Sequence, residues 1–131
     1  MTQEEKQLLL ADLSARLPYG VKVQHQHQDY LDEIQTIEHI ARKYGEIETE
    51  SVLGFVDDFK PYLRPMSSMT EEEKIEYGDR CYFALECIST NQQYYFNELY
   101  DWLNVHHFDY RGLIEKGLAI AVTKENNPYE N

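Results

Sequence analysis

The segment "YLDEIQTIEHIARKYGEIETES", residues 30–51, decides the fold. Ile34, Ile37 and Ile40 recur at helical spacing, whereas the density of Ile and Thr favours a strand. Beyond Gly45 the stretch "EIETES" alternates cleanly, so the segment is predicted to be a hairpin turning at Tyr44-Gly45. Upstream, from Val21, the period is also two. Val21, Val23, His25 and His27 share one face, and Lys22, Gln24, Gln26 and Gln28 the other. Together these stretches form a meander of three strands.

The meander is flanked by helices. Thr2 and Glu5 have the spacing of a capping box, and Leu9, Leu10, Leu13 and Leu17 then recur on one helical face. Pro18 and Gly20 end that helix. After the meander, Pro61 and Pro65 bias Lys60 and Arg64 toward extended backbone. Thr70 and Glu73 repeat the capping box, so a second helix is expected from about Glu71, weakened or ended by Gly78. "CYFALECIS" stays open between strand and helix, because Cys81, Phe83, Leu85 and Cys87 alternate as a strand would. Phe96, Leu99, Tyr100 and Leu103 place a further helix over about Asn91 to His106, and "LAIAV" reads as a short buried strand. The expected fold is a single α+β domain over residues 1–122. It has an N-terminal helix and a small antiparallel sheet of about three to five strands, packed with two or more later helices. Residues 123–131 are expected to fray.

Composition limits the function. The 131 residues carry 24 acidic and 12 basic side chains, for a net charge of −12. Such a field repels nucleic acid, which binds by having its phosphates neutralised, and disfavours anionic membranes. No apolar run approaches the roughly 18 residues of a membrane span. The opening "MTQEEKQLLLADL" is acidic and lacks a signal-peptide pattern, so a cytoplasmic protein is expected. Cys81 and Cys87 have neither disulfide nor zinc spacing and read as reduced, inert thiols.

Chemistry finds little footing in the motifs. His25 and His27 would supply two of the three ligands of a catalytic zinc, with His39, His106, His107 or a carboxylate as the third. The face they share begins with Val21 and Val23, however, and no HxxxH or HExxH pair supports a site. The six glycines are scattered singly, so there is no phosphate loop, and neither G-x-S-x-G nor a Cys-His signature occurs. No cofactor is expected. Glu46, Glu48 and Glu50 would line one face of a strand at about 6.8 Å intervals, roughly half the charge density of one DNA strand. Asp57, Asp58 and Glu71 to Glu73 would have to add to that row for it to imitate phosphates. The alternative is a solvated outer face.

Eleven tyrosines and one Trp stand out, many in "YYFNELYDW" and "HHFDYRG". Aromatic rings and Arg make the strongest interface anchors. The candidate interaction surface therefore combines Glu46, Glu48 and Glu50 with Tyr62, Arg64, Trp102, Tyr110 and Arg111. Arg64 and Arg111 have a structural alternative, in Arg111's case a pair with Asp109.

The stretches "LLLADLSARLPYGVKV", "FKPYLRPMSSMTEEEK" and "DWLNVHHFDYRGLIEKGLAI" resemble a family of short proteins from Bacteroides-type gut bacteria, their phages and mobile elements. The resemblance implies no activity and no catalytic residues, and "HQHQD" lies outside it. The expectation is a non-enzymatic accessory protein that binds another protein, possessing an acidic surface suited to a basic host target. A metal-dependent enzyme built on His25 and His27 and a self-assembling structural component are the alternatives.

Overall fold

The computed structural model describes residues 1–27, 33–41, 45–86 and 94–130. The elements run α1 (Gln3–Arg16), β1 (Lys22–His25), β2 (Ile34–Ala41), β3 (Glu46–Thr49), β4 (Leu53–Phe55), β5 (Phe59–Leu63), α2 (Glu71–Glu86), α3 (Tyr94–Val105) and β6 (Ile120–Ala121). Among the described residues the six strands form one sheet in the order β4-β3-β2-β1-β5-β6. This is a small single α+β domain with an N-terminal helix and two later helices.

The sheet is mixed and has one strand more than the upper limit expected. Strands β1 to β5 pair antiparallel, whereas β6 runs parallel to β5. The chain leaves β5, passes through α2 and α3, and returns in the same direction, as a parallel neighbour requires. Pro61 fits in β5 because pairing with β6 begins only at Tyr62, so its missing N–H interrupts little.

The Ile spacing that imitates a helix in residues 34–40 has a local cause. The β2–β3 register shifts between Ile37 and His39, a bulge that adds one residue to β2. Ile37 is buried and Ile40 packs partly against the same core, although they are three residues apart. At the turn Gly45 has φ 67°, a left-handed backbone that glycine adopts without strain. Residues 42–44, including Tyr44, lie outside the described residues.

Two apolar clusters result. Leu9 and Leu13 of α1 cluster with Val21 and with Val23, Ile37, Ile47, Phe59 and Leu63 of the sheet. Each such side chain contributes about 1.5–3 kcal/mol when fully buried. The second cluster gathers Met69, Ala84, Leu99, Trp102, Leu103 and Phe108 around α2 and α3.

One expectation about α2 is corrected and one open reading is resolved. It runs unbroken through Gly78 and takes in Cys81 to Glu86, so neither a stop nor a strand occurs there. Cys81 and Ala84, one turn apart, both join the cluster shared with α3, and helical packing accounts for them better than alternation does. Cys81 is a free thiol; Cys87 and the first residues expected in α3, 91–93, lie outside the described residues.

The C-terminal segment, expected to fray, turns back on the sheet. The Tyr129 hydroxyl donates to the Tyr62 carbonyl at 2.8 Å and accepts from the Lys22 N–H at 3.0 Å. Its ring stacks on His107 with centroids 3.5 Å apart. Burial raises the Tyr129 pKa, so the phenol stays protonated.

Candidate interaction surface

The sheet has one face against α1 and one turned outward. In β3, Ile47 and Thr49 point into the core, so alternation turns Glu46 and Glu48 out. Residues directly opposite across a ladder share a face. Glu46 lies opposite Ala41 of β2 and Phe55 of β4, and Glu48 opposite His39 and Leu53. Leu53 is 68% exposed and Phe55 53%. Gly54 between them faces inward, where a Cβ would stand 3.0 Å from the Phe59 ring. The core therefore presses a glycine into that position and leaves two large apolar side chains in solvent beside two carboxylates.

Leu53 and Phe55 are not among the sequence candidates. The signal was present in "VLGFV", where Val52, Gly54 and Val56 are the inward set of a period-two pattern. Glu50 drops out of the acidic row, because its carboxylate accepts from the Thr36 N–H at 3.0 and 3.1 Å. Three of the other acidic residues are engaged elsewhere. Asp57 pairs with Lys6 at 3.5 Å, Asp58 accepts from the Phe55 N–H, and Glu71 pairs with Lys74 at 3.0 Å.

The remaining candidates are dispersed. Tyr62 and Trp102 are each only 6% exposed, so neither is a surface anchor. Trp102 lies between the Tyr77 and Phe108 rings and donates its indole N–H to Glu76 at 3.0 Å. A buried indole needs such an acceptor, and α2 provides it. Arg111 pairs with Asp12 of α1, at 2.9 Å, and Asp109 instead accepts from the N–H groups of Leu113 and Ile114. Asp12 also takes the Arg16 Nε at 2.8 Å, and both residues are fully buried. The Tyr110 ring lies beneath the Arg16 and Arg111 guanidinium groups, and its hydroxyl donates to Asn104 at 2.7 Å. Tyr110 and Arg111 thus belong to a network that ties α1 to the segment after α3.

Arg64 stands in an open groove of about 740 Å³ together with Glu73, His106, His107, Lys124 and Tyr129. It grips Glu73 with two bonds of 2.7 and 2.8 Å and rests on the Phe108 ring at 4.2 Å. Hydrogen bonding from Arg64 draws the Glu73 carboxyl down to about 2, against the opposing effect of burial. Burial, with the Arg16 charge next in weight, lowers His107 to about 4. Near neutral pH the carboxylate is therefore ionised and the imidazole neutral. Neither is tuned for proton transfer, which works best with a pKa close to the working pH.

His25 and His27 do not form a matched pair of ligands. His25 is buried against Phe59, and its Nδ1 accepts the His27 N–H at 3.0 Å, while His27 is exposed. That bond occupies a lone pair that a metal would need. Among the described residues, no group of three His, Cys, Asp or Glu side chains is placed to hold an ion. Also among the described residues, no helix is long and apolar enough to cross a membrane.

Compared with protein-family models, with curated proteins and with solved structures, the chain matches none of them.

Proposed function

We propose that this is a non-enzymatic interaction protein that docks on a partner protein through the outward face of β2, β3 and β4. The observation that carries the reading is the placement of exposed Leu53 and Phe55 directly across the ladder from Glu46 and Glu48. Interfaces draw affinity from desolvated apolar and aromatic anchors, and orientation and encounter rate from complementary charge. A face of this composition suits a basic partner, and the net charge of −12 strengthens the attraction while repelling nucleic acid itself. A cytoplasmic site of action accords with two cysteines whose spacing suits neither a disulfide nor zinc. The family resemblance suggests a phage or mobile-element protein acting on a host protein, with inhibition of a nucleic-acid-binding host protein as the sharpest form of the idea.

The test is affinity capture from a host lysate at low and raised salt, using the parent chain and two double variants. Glu46→Lys with Glu48→Lys reverses the charge, and Leu53→Ala with Phe55→Ala removes the apolar anchors. A stoichiometric partner that weakens as salt rises and is lost in both variants is the expected result. Capture that is the same with parent and variants would sink the assignment of this face.

A further inference from the structure

The outer side of α2 is a second and separate surface. Ala84 is the one fully buried residue of this helix among those described. Ile75, Gly78, Tyr82 and Leu85 follow one another at intervals of three, four and three residues, which places them in one stripe. Ile75 is 66% exposed, Tyr82 60% and Leu85 65%. Glu72, Asp79 and Glu86 border the stripe along one side, and Lys74 and Cys81 along the other.

Gly78 sits in the middle of this stripe, and no described residue packs against it. A Cβ built on it would meet nothing within 4 Å, and its backbone is ordinary helix. Glycine is among the poorest residues in a helix interior, and its use is close approach of another backbone. Among the described residues no backbone makes that approach, and a partner chain could supply it.

We infer that this stripe is the docking site for an amphipathic helix of a partner protein, crossing at Gly78 and carrying Lys or Arg along the flank that meets Glu72, Asp79 and Glu86. Apolar anchors at such intervals are the mark of helix-to-helix recognition, and flanking charges choose the partner. A second copy of this chain fits less well. Two molecules of charge −12 would have to meet, and antiparallel pairing would set each acidic flank against its own equivalent. The surface is independent of the outward sheet face.

The experiment uses two synthetic helical peptides with the same Leu seam, one with Lys and one with Glu at the flanking positions. Binding to the full chain is read by fluorescence anisotropy at low and raised salt. The Lys peptide is expected to bind at least about tenfold more tightly than the Glu peptide, with the advantage shrinking as salt rises. Gly78→Gln should weaken it by about tenfold or more by blocking the crossing point, and Tyr82→Ala should weaken it similarly. Circular dichroism and thermal melting confirm that Gly78→Gln is folded, since Gln favours helix more than Gly does. Glu46→Lys with Glu48→Lys should leave peptide binding unchanged, which separates this result from any failure of the sheet-face reading. The inference is overturned if neither peptide binds, if both bind alike, or if Gly78→Gln has no effect. A dimer in sedimentation equilibrium that Gly78→Gln dissolves would overturn it in favour of a second copy.

Discussion

The helices α1 and α2 start from the same device and reach opposite ends. In α1 the Thr2 hydroxyl accepts the Glu5 N–H at 3.1 Å while Glu5 accepts the Thr2 N–H at 2.9 Å. In α2, Thr70 and Glu73 repeat both bonds at the same distances. Beyond the caps the likeness ends. α1 buries Leu9 and Leu13 in the main core and Asp12 and Arg16 in an ion pair, whereas α2 buries Ala84 and turns Ile75, Tyr82 and Leu85 to solvent. A capping box satisfies the first backbone N–H groups and so fixes where a helix begins, but it has no influence on which face finds a partner. In α1 the apolar face meets a sheet. In α2 part of the apolar surface is left exposed.

The largest effect should come from the polar centre of α1. Asp12 bridges Arg16 and Arg111, and Arg16 also donates to the Phe108 carbonyl at 2.6 Å, joining α1 to the end of the α3 segment. Asp12→Ala would leave a fully buried guanidinium without its counter-ion, at a cost of about 3–5 kcal/mol. Urea unfolding of parent and variant measures this directly. A loss below about 1 kcal/mol would mean that the network follows the fold rather than anchoring it.

A pair of leucines sharpens the comparison. Leu13→Ala, at the fully buried face of α1, should cost about 2–5 kcal/mol. Leu85→Ala, on the exposed face of α2, should stay within about 0.5 kcal/mol. Equal losses in thermal or chemical unfolding would show that the two helices are packed alike, and the outer stripe of α2 would cease to be a free surface.

What the sequence made legible divides along the same line. Both caps, the first helix and the inward face of Val21 and Val23 depend on neighbours close in the chain, and local patterns describe them well. The bulge in β2 was invisible, because one extra residue in a strand brings Ile37 and Ile40 to one face and imitates a helical interval. The course of α2 was hidden differently. Cys81, Phe83 and Leu85 alternate along the chain, yet Cys81 packs against the α3 cluster, Phe83 lies on Tyr95 and Leu85 is exposed. Tertiary contact with α3 overrides that local pattern. The candidate surface suffered most. Glu46 and Glu48 do share an outward face, but Trp102 and Tyr62 are buried and Arg111 serves Asp12, a residue of α1. Residue type identified groups able to anchor a partner, and only long-range packing could say which of them the fold had already used.

A modest gain in stability bears most directly on α2. Gly78→Ala adds a methyl group to open space in a helical backbone, so it should stabilise the free protein by about 0.8–1.0 kcal/mol. A rise in the thermal midpoint, with no change in the denaturant slope, is the expected result. Loss of stability would instead reveal a close internal contact at Gly78 and remove the reason for seeking an external one. If the gain is found, the natural chain keeps a residue that weakens its own helix at the centre of an exposed apolar stripe. Among the described residues the fold gives no reason for that glycine, and the proposed helix crossing at its Cα would give one.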